Sequence, residues 1–184
     1  LAGRAKNVAP ALAQAVLMPD HGHLLDIGGG TGIYSYALLE KNPTLKATVF
    51  DRPEVLKVAD EMAQDYDIRE RIELVAGDMF ADVLPSDVDA ILLSNILHDW
   101  DVPECRQLID RCVTALAPGG RILIHDVFLN DELDGPLPIA LYSAALFSLT
   151  EGRAYSAKEY RSWLHDAGLS TESVVPTGVH CGVL

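Results

Sequence analysis

Five polar side chains come at or just after the ends of successive apolar segments, and together they could bind a ligand and move a proton. They are Asp26, Asp51, Asp78, His98 and Asp126. A carboxylate accepts hydrogen bonds from hydroxyl and ammonium groups, and a neutral imidazole can take a proton from a hydroxyl. If the apolar segments are parallel strands, their carboxyl ends meet at one edge of a sheet, where ligands bind. The pattern predicts a single site at that edge.

A glycine-rich turn follows the first apolar segment. A strand that turns through glycines into a helix lets a ligand approach bare backbone at the helix N-terminus. Gly28, Gly30 and Gly32 form the turn, but Ile33 stands where the dinucleotide fingerprint has its third glycine. Asp26 would repel a pyrophosphate, whereas it can accept from an ammonium group. The turn therefore favours a nucleoside that carries an amino acid, and the alternative is a glycine-rich turn that binds no ligand.

Two further acids are candidates for contacts with a nucleoside. Asp51 lies about twenty residues beyond the turn, where an acid can bind both ribose hydroxyls. The alternative is an N-cap for a helix that begins at Pro53. Asp78 could accept from an adenine amino group while Met79 or Phe80 packs on the purine. The alternative there is a solvated turn with Phe80 in the core.

His98 is the candidate for proton transfer. It follows a fully apolar segment and is expected to face Asp126, whose carboxylate would fix the imidazole tautomer for accepting a proton from a phenol or other hydroxyl. A purely structural histidine and a metal site with Asp99 and Asp101 are the alternatives. Asp101 is better placed as a helix N-cap, with Glu104 three residues on, so we expect no metal.

The elements that would position these residues alternate between strands and helices, which predicts an α/β fold with a doubly wound, mostly parallel sheet. No linker or repeat divides the sequence, so we expect one domain over residues 1–184. The predicted strands are 23–27, 45–50, 72–76, 90–96, 121–129, 171–175 and 180–183. The predicted helices are 4–17, 33–41, 53–66, 102–117 and 157–167, the last capped by Ser156 with Glu159, and a strongly apolar segment lies at 138–149.

Composition narrows the class of partner. The 184 residues carry a formal net charge of −13, which disfavours nucleic acid and anionic membranes. Cys105, Cys112 and Cys181 have no metal-type spacing and are expected to be buried thiols, which suits a reducing cytoplasm. No apolar run is long enough to span a membrane and no signal peptide is visible. The sequence begins at Leu1 without Met, which suggests a segment of a longer chain.

Five motifs in fixed order give the chain a family resemblance. It resembles the catalytic domain of the S-adenosylmethionine-dependent O-methyltransferases of the caffeate, flavonoid, acetylserotonin and bacterial polyketide-tailoring type, from about residue 4 to the end. The motifs are Asp26-Ile27-Gly28-Gly29-Gly30-Thr31-Gly32, Phe50-Asp51-Arg52-Pro53-Glu54-Val55, Gly77-Asp78-Met79-Phe80, Leu97-His98-Asp99-Trp100 and Pro118-Gly119-Gly120.

The resemblance implies a Rossmann-like sheet of seven strands with an antiparallel C-terminal strand. It also implies metal-independent transfer of a methyl group from S-adenosylmethionine to a hydroxyl, usually on an aromatic small molecule. His98 matches the general base and Asp126 the acid that orients it. The cofactor would be bound by Asp26, Gly28, Gly30, Gly32, Asp51, Asp78, Met79, Phe80 and Ser94.

The sequence departs from the family pattern at two positions. Ser94 stands where many plant members carry a lysine against the adenine, and Ala154 stands where they often have a second acid beside the base. The family's N-terminal helical dimerisation domain is absent from this chain, and its presence would make the full-length protein a homodimer. We therefore expect the apolar segment 137–149 to be partly exposed or to self-associate.

Two other functions are consistent with the residues. One is a cofactor-binding module without methyl transfer, which the loss of an acid at Ala154 would suit. The other is an NAD-dependent oxidoreductase, which Ile33 and Asp26 disfavour. For a methyltransferase, the candidates for the wall of the acceptor pocket are Tyr142, Ala145, Phe147 and Leu149.

Overall fold

Seven strands form one mixed sheet, described here from a computed structural model that covers residues 2–64, 66 and 68–184. The strands are β1 His23–Ile27, β2 Lys46–Asp51, β3 Ile72–Ala76, β4 Val88–Ser94, β5 Leu116–Val127, β6 Val175–Gly178 and β7 Cys181–Val183. Their order is β3-β2-β1-β4-β5-β7-β6. The first five strands pair in parallel, and β7 is antiparallel to both β5 and β6. The predicted fold class is confirmed.

Six helices connect and cover the strands. They are α1 Ala2–Ala15, α2 Ile33–Lys41, α3 Pro53–Ala63, α4 Val102–Ala115, α5 Leu137–Leu149 and α6 Ala157–Asp166. Both predicted N-caps are present. The Asp101 carboxylate accepts from the Val102 amide at 2.8 Å, and Ser156 with Glu159 forms a reciprocal capping box at the start of α6. These caps fix where α4 and α6 begin.

Several boundaries differ from the sequence prediction, among them the end of α3 and the start of β5. Helix α3 ends at Ala63, before the predicted end at 66. Strand β5 begins at Leu116 and runs through Pro118-Gly119-Gly120, which had been expected to lie in a loop. Leu116 pairs with Val88, and an irregularity follows before regular pairing resumes at Arg121. Pairing with a distant strand, which local turn signals do not encode, sets this boundary.

Hydrophobic residues pack on both faces of the sheet. Successive strand residues point to opposite faces, so Leu24 packs with α1, α2 and α3, whereas Leu25 packs with α4 and α6. Leu92 and Leu93 divide in the same way, and all four side chains are fully buried. Burial of each such side chain contributes about 2 kcal/mol. This two-sided core holds the carboxyl edge of the sheet rigid.

Helix α5 differs from the other helices in how little of it is covered. Only Ile139 and Leu146 are buried, and its exposed apolar side chains are Leu137, Leu141, Phe147 and Leu149. The expectation that this segment is partly exposed is confirmed. No helix within the described ranges is both long and apolar enough to cross a membrane.

Candidate active site

A cavity of about 1040 Å³ opens at the carboxyl edge of the parallel strands. Its wall is built from the glycine turn after β1, the end of β2, the loop after β3, the end of β4 and the inner face of α5. Eight residues that the sequence assigned to the site line it: Gly28, Gly30, Asp51, Asp78, Met79, Phe80, Ser94 and His98. Three others, Asp26, Gly32 and Asp126, do not reach its wall. Of the candidates for the acceptor wall, Tyr142 and Leu149 line the cavity, whereas Ala145 and Phe147 do not.

The glycine turn and Asp51 form one hydrogen-bonded unit. The Gly30 amide donates to Oδ2 of Asp51 at 2.8 Å, and the Arg52 amide donates to Oδ1 at 2.7 Å. Gly28 and Gly30 adopt left-handed φ values of 65° and 60°, which an L side chain would strain. Each Asp51 oxygen has two acceptor lone pairs and uses one on the backbone, so the carboxylate can still accept two hydroxyls.

Asp26 lies beneath the turn instead of at the cavity wall. It is fully buried, Ser35 Oγ donates to its Oδ2 at 2.7 Å, and its Oδ1 has no partner within the described chain. Burial raises the pKa of this carboxyl to about 7, against the lowering effect of the Ser35 hydrogen bond, and Asp51 raises it further. The expectation that its carboxylate faces the cavity is corrected, because the backbone at Gly29 covers it.

The turn can pass this close over Asp26 because position 29 is a glycine. A Cβ at that position would lie only 2.7 Å from Cγ of Asp26. Gly32 is likewise turned away from the cavity, against the ring of Tyr36. Contact of Asp26 with a ligand ammonium stays a prediction, which this position does not favour.

The loop after β3 presents one acid and two apolar side chains to the cavity. Asp78 is exposed, and its Oδ1 accepts from the Phe80 amide at 2.7 Å, which folds the loop back on itself. Phe80 packs edge-on against Trp100, with ring centroids 4.7 Å apart. Met79, Phe80 and Trp100 all line the cavity and give it an apolar end suited to a flat ring.

His98 and Asp126 form a buried pair beside the cavity. His98 lies in a short 3₁₀ turn, Leu97–Asp99, after β4, and Asp126 lies near the end of the neighbouring strand β5. Nδ1 of His98 is 2.6 Å from Oδ1 of Asp126, which also accepts from the Val127 amide at 2.8 Å. A carboxylate can only accept, so Nδ1 carries the proton of the neutral ring and Nε2 carries the lone pair.

Two polar groups lie near Nε2 of His98. The phenol oxygen of Tyr142, on α5, is 3.4 Å away, and its ring stands edge-on to the imidazole with centroids 5.7 Å apart. Oδ1 of Asp99 is 3.6 Å away, and burial raises the pKa of that carboxyl while His98 lowers it. The sequence assigned neither group to the base, since the turn that brings Asp99 back and the packing of α5 are tertiary features.

Ala154 is fully buried, and its amide donates to Ser143 Oγ at 3.1 Å. The structure thus has an apolar side chain where a second acid was considered. The second carboxylate near the base is Asp99, which lies on the Nε2 side. Within the described part of the chain, no cluster of three or more metal-ligating side chains occurs.

Fold and site together define a class: a Rossmann-like sheet with a nucleoside-sized cavity and a histidine–carboxylate pair at its edge. A family model for the O-methyltransferase domain matches residues 7–170. The chain belongs to this O-methyltransferase domain family.

Individual relatives agree with that assignment. The 3-hydroxy-5-methyl-1-naphthoate 3-O-methyltransferase of Streptomyces sahachiroi is 41% identical over 162 residues, which is 88% of this chain and 47% of that protein. An O-methyltransferase family 2 protein from Planctomyces limnophilus, solved with apigenin, is 53% identical with a TM-score of 0.96, covering 100% of this chain and 58% of that one.

A third relative, human N-acetylserotonin methyltransferase solved with S-adenosylmethionine, is 32% identical with a TM-score of 0.83. That match covers 98% of this chain and 50% of the human one. The chain therefore spans about half the length of the relatives that it matches.

Proposed function

We propose that this chain is the catalytic domain of an enzyme that transfers a methyl group from S-adenosylmethionine to a hydroxyl of a small aromatic molecule. The observation that carries the proposal is the buried His98–Asp126 pair, whose reactive nitrogen faces a cavity built for a nucleoside. The family assignment supports the reaction class and disfavours an NAD-dependent oxidoreductase. The S-adenosylmethionine bound to the human relative supports the cofactor.

The residues at the cavity fit this cofactor. Asp51 retains acceptor capacity for the two ribose hydroxyls, and Asp78 with Met79 and Phe80 offers an acceptor and apolar surface for the adenine. The turn at Gly28 and Gly30 is bare backbone, which the amino-acid end of the cofactor can approach closely. When bound, the cofactor supplies an electrophilic methyl group on a sulfonium.

His98 would remove the proton from the acceptor hydroxyl. Asp126 holds Nδ1–H, so the lone pair on Nε2 accepts that proton while the acceptor oxygen becomes nucleophilic. The imidazolium formed in this step is stabilised by the adjacent carboxylate. Most of the remaining acceleration would come from holding the acceptor oxygen in line with the methyl group.

Tyr142 supports a phenolic acceptor. Its own phenol oxygen lies 3.4 Å from Nε2, so the space beside the base accommodates an aromatic hydroxyl. Leu146 and Leu149 continue an apolar wall from this point. The apigenin bound to the Planctomyces relative and the naphthoate substrate named for the Streptomyces relative are both aromatic hydroxyl compounds, which agrees with this assignment.

We extend the proposal to the setting of the enzyme. Catalysis would need no metal, because the base and its orienting acid are both side chains. Cys105 and Cys112 are buried and form no disulfide, which suits a reducing cytoplasm. The exposed apolar face of α5 would be covered in a homodimer of the full-length protein.

The test is calorimetric titration with S-adenosylhomocysteine and with NAD in parallel, followed by methyl-transfer assays with apigenin and related phenols. Micromolar binding of the first ligand, no binding of NAD and methylated product would support the proposal. Binding without any product across the phenols would favour the cofactor-binding module that Ala154 suggests. Tight binding of NAD alone would overturn the proposal.

A further inference from the structure

A chain of hydrogen bonds runs from buried residues of β6 and β5 to the cavity, and the proposed catalysis does not use it. Its centre is His125, which is fully buried. Nε2 of His125 lies 2.9 Å from Oγ1 of Thr177, and Nδ1 lies 2.8 Å from Oγ of Ser94. Thr177 is also buried, whereas Ser94 lines the cavity. The imidazole therefore links the interior of the sheet to a residue that a ligand can touch.

This chain of hydrogen bonds ends at the side chain of Asn95. Its Nδ2 donates to Ser94 Oγ at 3.1 Å and to Tyr34 Oη at 3.4 Å, and the Tyr34 ring packs edge-on to His125 with centroids 5.1 Å apart. Both N–H groups of the amide are thereby used on hydroxyl oxygens. Oδ1 is left to accept a hydrogen bond in the cavity, which Asn95 lines.

The backbone at Asn95 is also fixed. Its φ is 56°, in the left-handed region that asparagine tolerates better than most residues, and its amide donates to the His125 carbonyl at 2.8 Å. The next residue, Ile96, packs over the glycine turn, since a Cβ on Gly28 would lie 2.5 Å from Cδ1 of Ile96. The amide oxygen is therefore held near the turn after β1.

S-adenosylmethionine brings three kinds of hydrogen-bond donor: the ribose hydroxyls, the adenine amino group and the α-ammonium. Asp51 and Asp78 are placed for the first two, which leaves the ammonium for an acceptor beside the glycine turn. Asp26 lies beneath that turn, out of the cavity. Oδ1 of Asn95 is an acceptor on the cavity wall, next to the residue that packs over this turn.

We propose that His125 is a positioning residue which, through Ser94, holds the Asn95 amide so that its oxygen binds the α-ammonium of the cofactor. The inference rests on the proposed function, because it takes S-adenosylmethionine as the ligand. His125 and Thr177 do not line the cavity and act only through this chain of hydrogen bonds.

The experiment compares two ligands on the full chain by calorimetry. S-adenosylhomocysteine has the α-ammonium, whereas 5′-methylthioadenosine keeps the adenine, ribose and thioether but lacks the amino-acid end. Asn95→Gly removes the side chain without straining a left-handed backbone. Thr177→Val breaks the hydrogen bond at the far end of the chain and keeps the shape of the side chain.

Another part of the protein offers a matched control for Thr177→Val. Thr48 is a buried threonine whose Oγ1 lies 2.8 Å from Nε2 of His23, at the opposite edge of the sheet. Thr48→Val removes the same kind of hydrogen bond with the same change of side chain. Any general effect of losing a buried threonine–histidine hydrogen bond appears in this control.

We expect Asn95→Gly to lower the affinity for S-adenosylhomocysteine by ~10-fold, the size of one lost hydrogen bond to a charged group. We expect Thr177→Val to lower the same affinity by ~3-fold, because the hydrogen bond is misplaced and not lost. Neither variant should change the affinity for 5′-methylthioadenosine. The control Thr48→Val should leave the affinities for both ligands unchanged. Equal weakening of both ligands, or no weakening of S-adenosylhomocysteine, would overturn the inference. Failure of the unaltered protein to bind S-adenosylhomocysteine would instead overturn the proposed function.

Discussion

Two buried acids, near the carboxyl ends of β1 and β5 on either side of β4, have different surroundings. Asp126, at the acceptor end of the cavity, is 2.6 Å from the His98 imidazole. Asp26, beneath the glycine turn, has only the Ser35 hydroxyl, and each of the two acids also has one oxygen without a partner in the described structure. Both side chains are almost completely excluded from solvent.

The difference is one of chemistry more than of burial. A basic ring beside Asp126 gives its carboxylate a partner that can become a cation, so the ionised form is useful there. Asp26 has no cation, and burial raises its pKa to about 7. Its hydrogen bond to Ser35 joins β1 to α2 beneath the turn. In the proposed mechanism the first acid serves proton transfer, whereas the second supports the glycine turn.

The largest expected effect is at the acceptor end. His98→Ala should lower turnover by ~10²-fold or more, because the proton acceptor is lost, with little change in S-adenosylhomocysteine affinity. Initial rates with a phenolic acceptor and calorimetry measure the two quantities. His23→Ala, at the other edge of the sheet, is the control and should leave both unchanged. Parallel loss of rate and affinity in the His98 variant would make the residue structural.

Asp126→Asn should lower turnover by ~10- to 100-fold. An amide can present its NH₂ group to Nδ1 and so favour the wrong tautomer of His98. Nitrogen chemical shifts of the imidazole would report that change directly. Combined with His98→Ala, the substitution should cost nothing further, since the two residues act as a unit. An unchanged rate would remove Asp126 from the catalytic pair.

The substitution Asp26→Asn tests the role of this buried carboxyl through the free energy of unfolding. Because the folded-state pKa is raised to about 7 from an unfolded value near 4, the folded protein holds an extra proton between these values. The free energy of unfolding therefore falls as the pH rises through that window. At about pH 8 the Asn variant should be more stable than the unaltered protein by on the order of 1 kcal/mol, because it has no buried carboxyl to ionise.

Thermal unfolding at about pH 4 and about pH 8 measures this difference, which should vanish at the acidic end. S-adenosylhomocysteine affinity is measured on the same samples. If the Asn variant lost affinity for this ligand and kept that for 5′-methylthioadenosine, Asp26 would be the ammonium acceptor. The opposite result would agree with a supporting role beneath the turn.

The smallest expected effect is on the KM for the acceptor. The Tyr142 hydroxyl occupies the space beside Nε2 of His98, so an acceptor hydroxyl must displace it. Tyr142→Phe should lower KM for a phenol such as apigenin by about threefold and leave kcat nearly unchanged. A rise in KM would mean that the tyrosine hydroxyl binds the acceptor.

Local signals in the sequence were enough to locate most elements. The bounds of β1, α2 and β3 were predicted to the residue, since buried apolar runs, glycines and prolines mark them. The capping residues Asp101 and Ser156 were also found. The start of β5 was wrong because pairing with a distant strand determines it. The position of β6 was wrong because β6 pairs with β7 across a tight turn at Val179 and His180, whose positive φ values these residue types do not signal.

The site could be predicted by residue type but not by orientation. Polar residues at strand ends marked the edge of the sheet, and the pairing of His98 with Asp126 was anticipated. The burial of Asp26 was not, because it depends on how closely the backbone at Gly29 passes over it. The roles proposed for Asn95 and His125 depend on a left-handed residue and on contacts between three strands, which sequence spacing does not show.

The two tryptophans of the chain lie in different environments, which gives the protein a built-in optical assay. Trp100 lines the cavity against Phe80, whereas Trp163 is buried with Tyr155 and Tyr160 in the core beside α6. Quenching of Trp100 emission would therefore follow occupancy of the cavity, and Trp163 would follow unfolding. Replacing either one with phenylalanine separates the two signals without adding a dye.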